Sequence, residues 1–382
     1  MHIFNLKTAI FVQILCRMNK VLHPTSALRA SAMFLAVSVI LFASSCSTKD
    51  NYIVITGFAQ GGTYSVKVNL NGPDGRVKKS PAEIKSGVDS ILLCVDNSLS
   101  GYNKGSLLSR FNSGETIVPD RMFLDIYERS YGFYLGTGKA VDVASGPLFD
   151  IWGFGFTSDS LPSASRVAGC LASCGLDRLE PDMRAAVSDD GTLEPSSMLL
   201  PGAGTELPRL NYNAVAQGYT CDVIADYLYS IGAKDMLVDI GGEIYCDGHN
   251  PSGRPWSIGI DRPVDGSQVS GADIQAVLKV PQGAKGIVTS GNYRKFYLKD
   301  GRKYAHTVDP RTGYPVSHSL LSATVMTEGD ATAADAYATY CMVIGVEESI
   351  RFIESRDDIE GYLIYADGDD MKSWASEGFV LD

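Results

Sequence analysis

The run GIVTSGNYRK, residues 286–295, continued by YAHTVDPRTGYP, residues 304–315, is the most informative part of the sequence. Its first half places the small hydroxylated residues Thr289 and Ser290 where their amides and hydroxyls can face a phosphate, as in a backbone nest. Its second half contains His306, one of 5 histidines in the chain, between a strand-like segment and an Asp-Pro turn at 309–310. A histidine beside such a loop predicts a functional site.

Around these runs, segments with strand and helix patterns alternate irregularly. Strands are predicted over 52–56, 63–70, 236–245, 256–260, 274–280, 295–298, 320–326 and 362–365. Helices are predicted over 81–97, 120–135, 163–174, 214–229, 331–344 and 347–354. Irregular alternation favours an α/β fold of the α+β kind, a mixed sheet with packed helices, over a doubly wound sheet. No linker-like composition follows residue 50, so residues 50–382 are predicted to form one domain.

The composition is that of a globular protein with a large core, because 45% of the 382 residues are hydrophobic and 20% are charged. The formal net charge is -11 at pH 7. Nucleic-acid-binding domains present a basic face, so this charge argues against a nucleic-acid partner.

Residues 1–46 have the composition of a targeting segment. Arg29 precedes an apolar run over 32–43, which is too short to span a membrane, and Ser44, Ser45 and Cys46 follow it. Small residues that end at a cysteine are typical of a bacterial lipoprotein signal. We therefore expect lipidation of Cys46, with the domain anchored to the cell envelope and facing the periplasm. The alternative is an ordinary cleaved signal with an incidental cysteine.

The cysteines after the targeting segment show no zinc-like spacing and are expected to be small buried apolar residues. They are Cys94, Cys170, Cys174, Cys221, Cys246 and Cys341. The pair at 170 and 174 is predicted to lie on one helix. Disulfides are permitted in an exported protein, but the sequence does not give their connectivity.

An acid and an alcohol one helical turn apart form the first candidate for chemistry. Asp335 and Thr339 fall on one face of the predicted helix 331–344, among alanines. Their oxygens suit Mg²⁺, which takes one or two protein oxygens together with waters and substrate phosphates. The alternative is ordinary surface or capping chemistry for a helical Asp/Thr pair.

Three further segments contain candidate binding residues. The run NYNAVAQGYTCD, residues 211–222, begins a helix whose free amides would favour an anion, with Asn211 and Gln217 able to bind a heterocycle or ribose. The alternative is a plain capped helix. Asp142 interrupts an apolar strand-like run that ends in a Gly-Pro turn at 146–147, so a hydrogen-bonding role is expected. Tyr102 is predicted to lie exposed in a loop, where it can stack on a ring.

Together these segments resemble the ApbE-type flavin transferases, the FAD:protein FMN transferases. The matching blocks include GGTY at 61–64, DNSLSGYN at 96–103, VDVASGPL at 141–148, AVAQGY at 214–219, VDIGGEI at 238–244, VTSGNY at 288–293, HTVDPRTG at 306–313 and ADAYAT at 334–339. Their order along nearly the whole chain after residue 57 makes the resemblance specific, although each block alone is weak.

The resemblance implies a Mg²⁺-dependent enzyme that cleaves the FAD pyrophosphate, attaches FMN to a threonine or serine hydroxyl of an acceptor protein and releases AMP. It implies Asp335, Thr339 and the carbonyl of Ala214 as metal ligands, and His306 together with Asp335 as catalytic residues. The acceptor it implies is an electron-transport subunit. The positions where the family contacts FAD are Tyr102, Ala140, Val141, Asp142, Asn211 and Gln217, and we add Thr289, Ser290 and Thr307 from the loop blocks.

Two alternatives to a transferase remain open at the level of sequence. A metal-dependent FAD pyrophosphatase would use the same residues with water as the acceptor, and a periplasmic flavin-binding lipoprotein would have no turnover. Gln217 stands where the family commonly has lysine or glutamate, and Asn211 where it commonly has aspartate. The run Ser322-Ala-Thr324 resembles the family's acceptor target, but we expect it to be a core strand.

Overall fold

A large antiparallel sheet forms the centre of the molecule. The computed structural model describes residues 51–73, 75–153, 161–179, 208–264, 273–292, 296–299 and 302–382, and Asp50–Asp382 form one compact unit. In chain order the strands are β1 (Tyr52–Ala59), β2 (Gly62–Asn69), β3 (Asn71–Gly72), β4 (Gly75–Arg76), β5 (Met236–Ile240), β6 (Glu243–Asp247), β7 (Ser257–Asp261), β8 (Ile274–Lys279), β9 (Lys285–Gly291), β10 (Phe296–Lys299), β11 (Arg302–Ala305), β12 (Val308–Asp309), β13 (Tyr314–Pro315), β14 (Leu320–Glu328), β15 (Ile359–Asp367) and β16 (Asp370–Ala375).

The large sheet has the strand order β1-β2-β5-β6-β9-β14-β15-β16. Each neighbouring pair in it runs antiparallel. The remaining strands form the two-stranded pairs β3–β4, β7–β8, β10–β11 and β12–β13. The predicted class, helices packed on one large sheet in a single domain, is confirmed, and the pairing in that sheet is antiparallel rather than mixed.

Five of the eight described helices begin at a residue whose side chain caps the first turn. In chain order they are α1 (Pro81–Leu99), α2 (Leu107–Asn112), α3 (Arg121–Gly136), α4 (Gly146–Ile151), α5 (Ala164–Leu171), α6 (Ala216–Ser230), α7 (Ala331–Ile344) and α8 (Val346–Glu354). Ser80 and Glu83 form a capping box at α1, in which the Glu83 N–H donates to the Ser80 hydroxyl at 3.3 Å and the Ser80 N–H donates to the Glu83 carboxylate at 2.8 Å.

Several predicted boundaries differ from the structure. Helix α5 ends at Leu171, so Cys174 lies beyond it. Helix α6 begins at Ala216 rather than at 214. The Gly146-Pro147 pair opens α4 instead of forming a turn, because proline has a helical φ and its missing N–H costs nothing in a first helical turn. Short strands and a proline-bearing loop are predicted over 184–210, and of these residues only 208–210 are among those the structure describes.

The helices cover one face of the sheet, and the β7–β8 hairpin covers the other. On the helical side, β1, β2 and β5 pack against α1 and α6, while β9, β14 and β15 pack against α7. On the opposite side, residues such as Ile287 and Met326 pack against Ile258 and Leu278 of the hairpin. Because α6 and α7 lie on the same face over neighbouring strands, residues far apart in sequence meet there.

The cysteine prediction is confirmed for three of the six residues. Cys221, Cys246 and Cys341 are buried, as expected for small apolar side chains. Cys94 is exposed, and Cys170 and Cys174 are only partly buried, so the prediction is wrong for them. The six residues are free thiols.

Candidate active site

The contact between helices α6 and α7 is so close that only glycine fits in it. A Cβ atom on Gly218 would lie 2.2 Å from the carbonyl oxygen of Ala331 and 2.9 Å from the Cβ of Asp335. On the other side of α7, a Cβ on Gly286 of β9 would lie 2.5 Å from the Ala331 nitrogen. Neither glycine was predicted to have a role. The sequence pattern does mark Gly218, because a glycine inside a predicted helix lowers helix propensity and therefore suggests close packing at that position.

Asp335 is a buried carboxylate that has no basic partner among the residues the structure describes. It is 4% exposed, and its Oδ2 accepts a hydrogen bond from the Gly218 N–H at 3.1 Å. No lysine or arginine of the described residues forms an ion pair with it. Burial, and to a smaller extent the nearby Asp222 carboxylate, raise the pKa of Asp335 to about 7, against the opposing effect of the Gly218 hydrogen bond.

This hydrogen bond corrects one prediction. The amides at the start of α6 were expected to be free for an anion, but the Gly218 N–H already donates to Asp335. Val215, the N-cap residue of α6, supplies no side-chain cap. The carboxylate from the neighbouring helix therefore takes the place of a local capping residue, which a sequence pattern cannot reveal.

The donors around Asp335 fit a hard divalent cation. Thr339 is one turn further along α7 and is partly buried, while Ala214 lies in the turn just before α6. Within the described ranges no group of three or more His, Cys, Asp or Glu side chains could hold a metal. A site here would therefore combine one carboxylate, one hydroxyl and a backbone carbonyl, which is the sparse oxygen set that suits Mg²⁺ when substrate phosphates complete it. The unpaired buried charge of Asp335 is what such an ion would neutralise.

Asp142 and Asn211 are joined through the backbone. Asp142 precedes a 3₁₀ turn over Val143–Ser145, and its carboxylate accepts the Ala144 N–H at 2.9 Å. The Asn211 N–H donates to the Val143 carbonyl at 2.7 Å. Burial above all raises the pKa of Asp142 to about 6. The expected hydrogen-bonding role of Asp142 is confirmed, although its segment is a turn and not the predicted strand-like run.

The neighbours of Asp142 connect this turn to the helices. Ala140 and Val141 are each 2% exposed. Val141 belongs to one hydrophobic cluster with Tyr212, Val215 and Ala336, the residue after Asp335. The 140–142 turn, the start of α6 and the first half of α7 therefore surround one packed cluster.

Asn112 holds the segment that contains Asn211. No role was predicted for Asn112. Its side-chain amide donates to the Leu210 carbonyl and its Oδ1 accepts the Leu210 N–H, both at 2.8 Å. The side chain of Asn112, at the end of the short helix α2, thus forms the two hydrogen bonds with Leu210 that the backbone of a neighbouring strand would form. No signal in a single sequence marks such a long-range backbone contact.

Gln217 and Tyr102 differ in their surroundings. The Gln217 Nε2 donates to the Ile240 carbonyl at 3.4 Å, next to Gly241, where φ is 73° and a Cβ would lie 2.2 Å from that nitrogen. Gly241 and Gly242 form the turn that separates β5 from β6. Tyr102 is 65% exposed in the loop between α1 and α2, as predicted.

The predicted nest at Thr289 and Ser290 is wrong. Both belong to the last part of β9, where they pair with Thr324 and Ala323 of β14, and the Thr289 and Thr324 hydroxyls lie 2.8 Å apart. The run remains extended because β14 pairs with it to Gly291. The register between β6 and β9 stops at Ile287, so among the described strands the end of β9 is paired on one side only.

The His306 segment is attached to the same strand end. The Thr307 hydroxyl donates to Oδ1 of Asn292, the residue after β9, at 2.7 Å. The predicted turn at Asp309 is confirmed, because the Gly313 N–H donates to the Asp309 carbonyl at 2.8 Å. The Trp152 indole N–H in turn donates to the Gly313 carbonyl at 2.7 Å. His306 therefore lies directly after β11, which ends at Ala305, and directly before the Thr307 anchor. Both its segment and α7 contact β9 or the residue after it.

Comparison with known proteins assigns the family. Residues 61–363 match the model of the ApbE family. This chain belongs to the ApbE family. It is 30% identical over 351 residues, 90% of this chain and 96% of the relative, to the FAD:protein FMN transferase of Vibrio cholerae serotype O1. It is 32% identical over 306 residues, 79% of this chain and 82% of the relative, to the FAD:protein FMN transferase of Escherichia coli K12.

Solved structures give the same result. The flavin transferase ApbE from Vibrio cholerae superposes with a TM-score of 0.70 at 30% identity, covering 86% of this chain and 98% of that one. The apo flavinyl transferase ApbE of Pseudomonas stutzeri superposes with a TM-score of 0.70 at 28% identity, covering 87% and 97%. The family resemblance expected from the sequence blocks is confirmed.

In this ApbE-family chain most of the predicted site residues fall into two groups, and α7 of the first group and the Thr307 segment of the second both contact β9 or the residue after it. One group comprises Ala140, Val141, Asp142, Asn211, Ala214, Gln217, Asp335 and Thr339, which lie in or beside the contact of α6 with α7 and the 140–142 turn. The other comprises Thr289, Ser290, His306 and Thr307 at the end of β9.

Proposed function

We propose that this ApbE-family chain transfers FMN from FAD to a threonine or serine hydroxyl of an acceptor protein, releases AMP and requires Mg²⁺. The relatives with the name FAD:protein FMN transferase match most of its length. The structural observation that supports the proposal best is the buried Asp335 carboxylate, which has no basic partner among the described residues and lies beside Thr339 and the turn of Ala214.

We assign Asp335, Thr339 and the carbonyl of Ala214 as the residues that hold the metal. When bound, Mg²⁺ would neutralise pyrophosphate charge and stabilise AMP as the leaving group. The protein's own contribution is orientation, because the Gly218 N–H fixes Asp335 Oδ2 and the close helix contact leaves the carboxylate little freedom.

We assign nine residues to FAD binding. They are Tyr102, Ala140, Val141, Asp142, Asn211, Gln217, Thr289, Ser290 and Thr307. Tyr102 is exposed and can stack on an aromatic ring. The polar side chains of Asn211 and Gln217 lack the formal charge that other family members commonly have there, so recognition at these two positions depends on hydrogen bonds to neutral groups.

His306 is proposed to act as the general base. The acceptor oxygen attacks the phosphorus of the FMN half, its proton passes to an imidazole nitrogen, and the phosphorus–oxygen bond to AMP breaks. Imidazole suits this step because histidine titrates near neutral pH. The Thr307–Asn292 bond and the Asp309 turn hold the segment that follows His306, and β11 pairs with β10 directly before it.

Product analysis separates this function from its two alternatives. The full chain is incubated with FAD, Mg²⁺ and a purified protein that carries an Asp-x-x-Ser/Thr-Gly/Ser-Ala-Thr segment, the target that the family resemblance implies. A transferase yields AMP in step with protein-bound flavin. A pyrophosphatase yields AMP and free FMN, and a flavin-binding protein leaves FAD intact. Either of the last two results contradicts the proposal.

We further propose that the protein is anchored to the cell envelope through lipidated Cys46, with its domain in the periplasm and an electron-transport subunit as acceptor. Residues 1–46 lie outside the described residues, so this rests on the sequence. Within the part of the chain that the structure describes, no helix is long and apolar enough to cross a membrane. A Cys46→Ser variant should move from the membrane fraction to the soluble fraction, and unchanged membrane association would contradict lipidation.

A further inference from the structure

Asp222 on α6 caps the beginning of α7. Its Oδ1 accepts the Ala331 N–H at 2.8 Å, and its Oδ2 accepts the Thr332 N–H at 3.0 Å. The Thr332 hydroxyl also donates to Asp222. Of the first three amides of α7, the carboxylate of the local N-cap residue, Asp330, accepts only that of Ala333, at 2.7 Å. Two of the first three amides of α7 therefore depend on a carboxylate from another helix.

The capping is reciprocal. Asp335 on α7 accepts the Gly218 N–H near the start of α6, where Val215 provides no side-chain cap. Each helix thus supplies an acid to the first turn of the other. Arg129 of α3 stabilises the arrangement, because its guanidinium lies 3.2 Å from the Asp222 carboxylate and also contacts Asp330.

The metal donors assigned above are divided between these two helices. The carbonyl of Ala214 precedes α6, whereas Asp335 and Thr339 belong to α7. The distance between the two sets of donors therefore depends on how α7 is placed along and around α6. Asp222 bonds two successive amides of α7 and so limits both translation and rotation of its first turn. It does this from a position that is two helical turns from Ala214 and on the opposite helix from Asp335.

We propose that Asp222 is a positioning residue for the divalent-metal site, and this inference rests on the proposed function of Asp335 and Thr339. Residues that orient metal ligands without touching the metal typically change metal affinity by about 10–100-fold when they are replaced. In Asp222→Asn, one acceptor oxygen becomes an amide donor that faces the Thr332 N–H and Arg129, while the side-chain volume stays the same. We expect the dissociation constant for Mg²⁺ to rise roughly 10-fold.

The test is calorimetric titration of Mg²⁺ into the full-length protein in the presence of FAD, for the wild type, Asp222→Asn and Asp226→Asn. Asp226 is exposed one turn further along the same helix, so its variant has the same change in charge without the contact to α7. Weakened Mg²⁺ binding in Asp222→Asn alone supports the proposal. Affinity for FAD without Mg²⁺, measured by flavin fluorescence, should stay unchanged, which a general loss of structure would not allow.

Two results would overturn the inference in different ways. If Asp335→Asn loses Mg²⁺ binding but Asp222→Asn keeps it, Asp222 has no positioning role and the metal site itself stands. If Asp335→Asn binds Mg²⁺ like the wild type, the proposed metal site is wrong and the inference falls with it. Should Asp222→Asn fail to fold, Thr332→Val removes one bond to Asp222, and it should weaken Mg²⁺ binding in the same direction by a smaller factor.

Discussion

The Asp335 carboxyl is destabilised by its position in the folded protein, since burial raises its pKa to about 7. A carboxyl with a raised folded-state pKa prefers its protonated form, so its contribution to stability is present at low pH and is lost as pH rises from about 4 to about 7. Asp335→Asn removes this charge and keeps a hydrogen-bond acceptor for Gly218. We expect the metal-free variant to exceed the wild type in unfolding free energy by roughly 2 kcal/mol at pH 7.5 and by less at pH 5.

Urea unfolding without metal at the two pH values measures this difference. The same substitution should lower FMN transfer by at least roughly 10²-fold, because a bound cation supplies several kcal/mol of transition-state stabilisation. Higher stability with lower activity is the pattern expected of a functional acid. If Asp335→Asn is less stable than the wild type at pH 7.5, the buried Asp335 carboxylate does not destabilise the folded protein, and the prediction is wrong.

His306 provides a second test at the residue scale. A general base typically contributes about 10²–10⁴ to the rate, so His306→Ala should lower the rate of FMN transfer by that factor. FAD and Mg²⁺ affinities should change little, because the proposed base does not hold either ligand. Stopped-time assays of flavin attachment measure the effect, and a variant that works at nearly the normal rate would exclude His306 as the base.

At the scale of elements, the close contact of α6 with α7 leads to a prediction that opposes helix propensity. Alanine is the better helix former by about 1 kcal/mol, but a Cβ on Gly218 would lie 2.2 Å from the Ala331 carbonyl oxygen. We expect Gly218→Ala to lower the unfolding free energy by about 1–3 kcal/mol and to weaken Mg²⁺ binding. Gly132 on α3 is the matched control, because a Cβ there meets nothing within 4 Å.

Thermal or urea unfolding of the two variants distinguishes packing from propensity. Gly132→Ala should stabilise the protein by about 0.5–1 kcal/mol, whereas Gly218→Ala should destabilise it. If both substitutions change stability in the same direction, the contact between the helices is less tight than the structure indicates.

Elements with local signals could be predicted from the sequence, and those with distant partners could not. Asp330, directly before the predicted helix 331–344, is such a local signal, and its carboxylate accepts the Ala333 N–H three positions later. The prediction of a nest at Thr289 and Ser290 is wrong because β14, which is distant in sequence, pairs with these residues as a strand. The cap that Asp335 provides to α6 was missed for the same reason, since its donor is Gly218 on another helix.

At the scale of the whole molecule, strand order decides which distant segments of the chain become neighbours. Patterns in a single sequence do not reveal that order. β9 lies between β6 and β14, which places the end of β9 beside the His306 segment and beneath α7. The acceptor-like run Ser322-Ala-Thr324 is confirmed as a core strand, because Ser322 and Thr324 are each 1% exposed and cannot receive FMN in the folded protein.

The intact mass of the acceptor protein tests the central claim most directly. After incubation of the full chain with FAD, Mg²⁺ and an acceptor carrying the target segment, the acceptor should gain the mass of one FMN less one water. With Asp335→Asn, or with a chelator present, it should gain nothing. An acceptor that stays unchanged with the wild type, or that gains the same mass with Asp335→Asn, would contradict metal-dependent FMN transfer at this site.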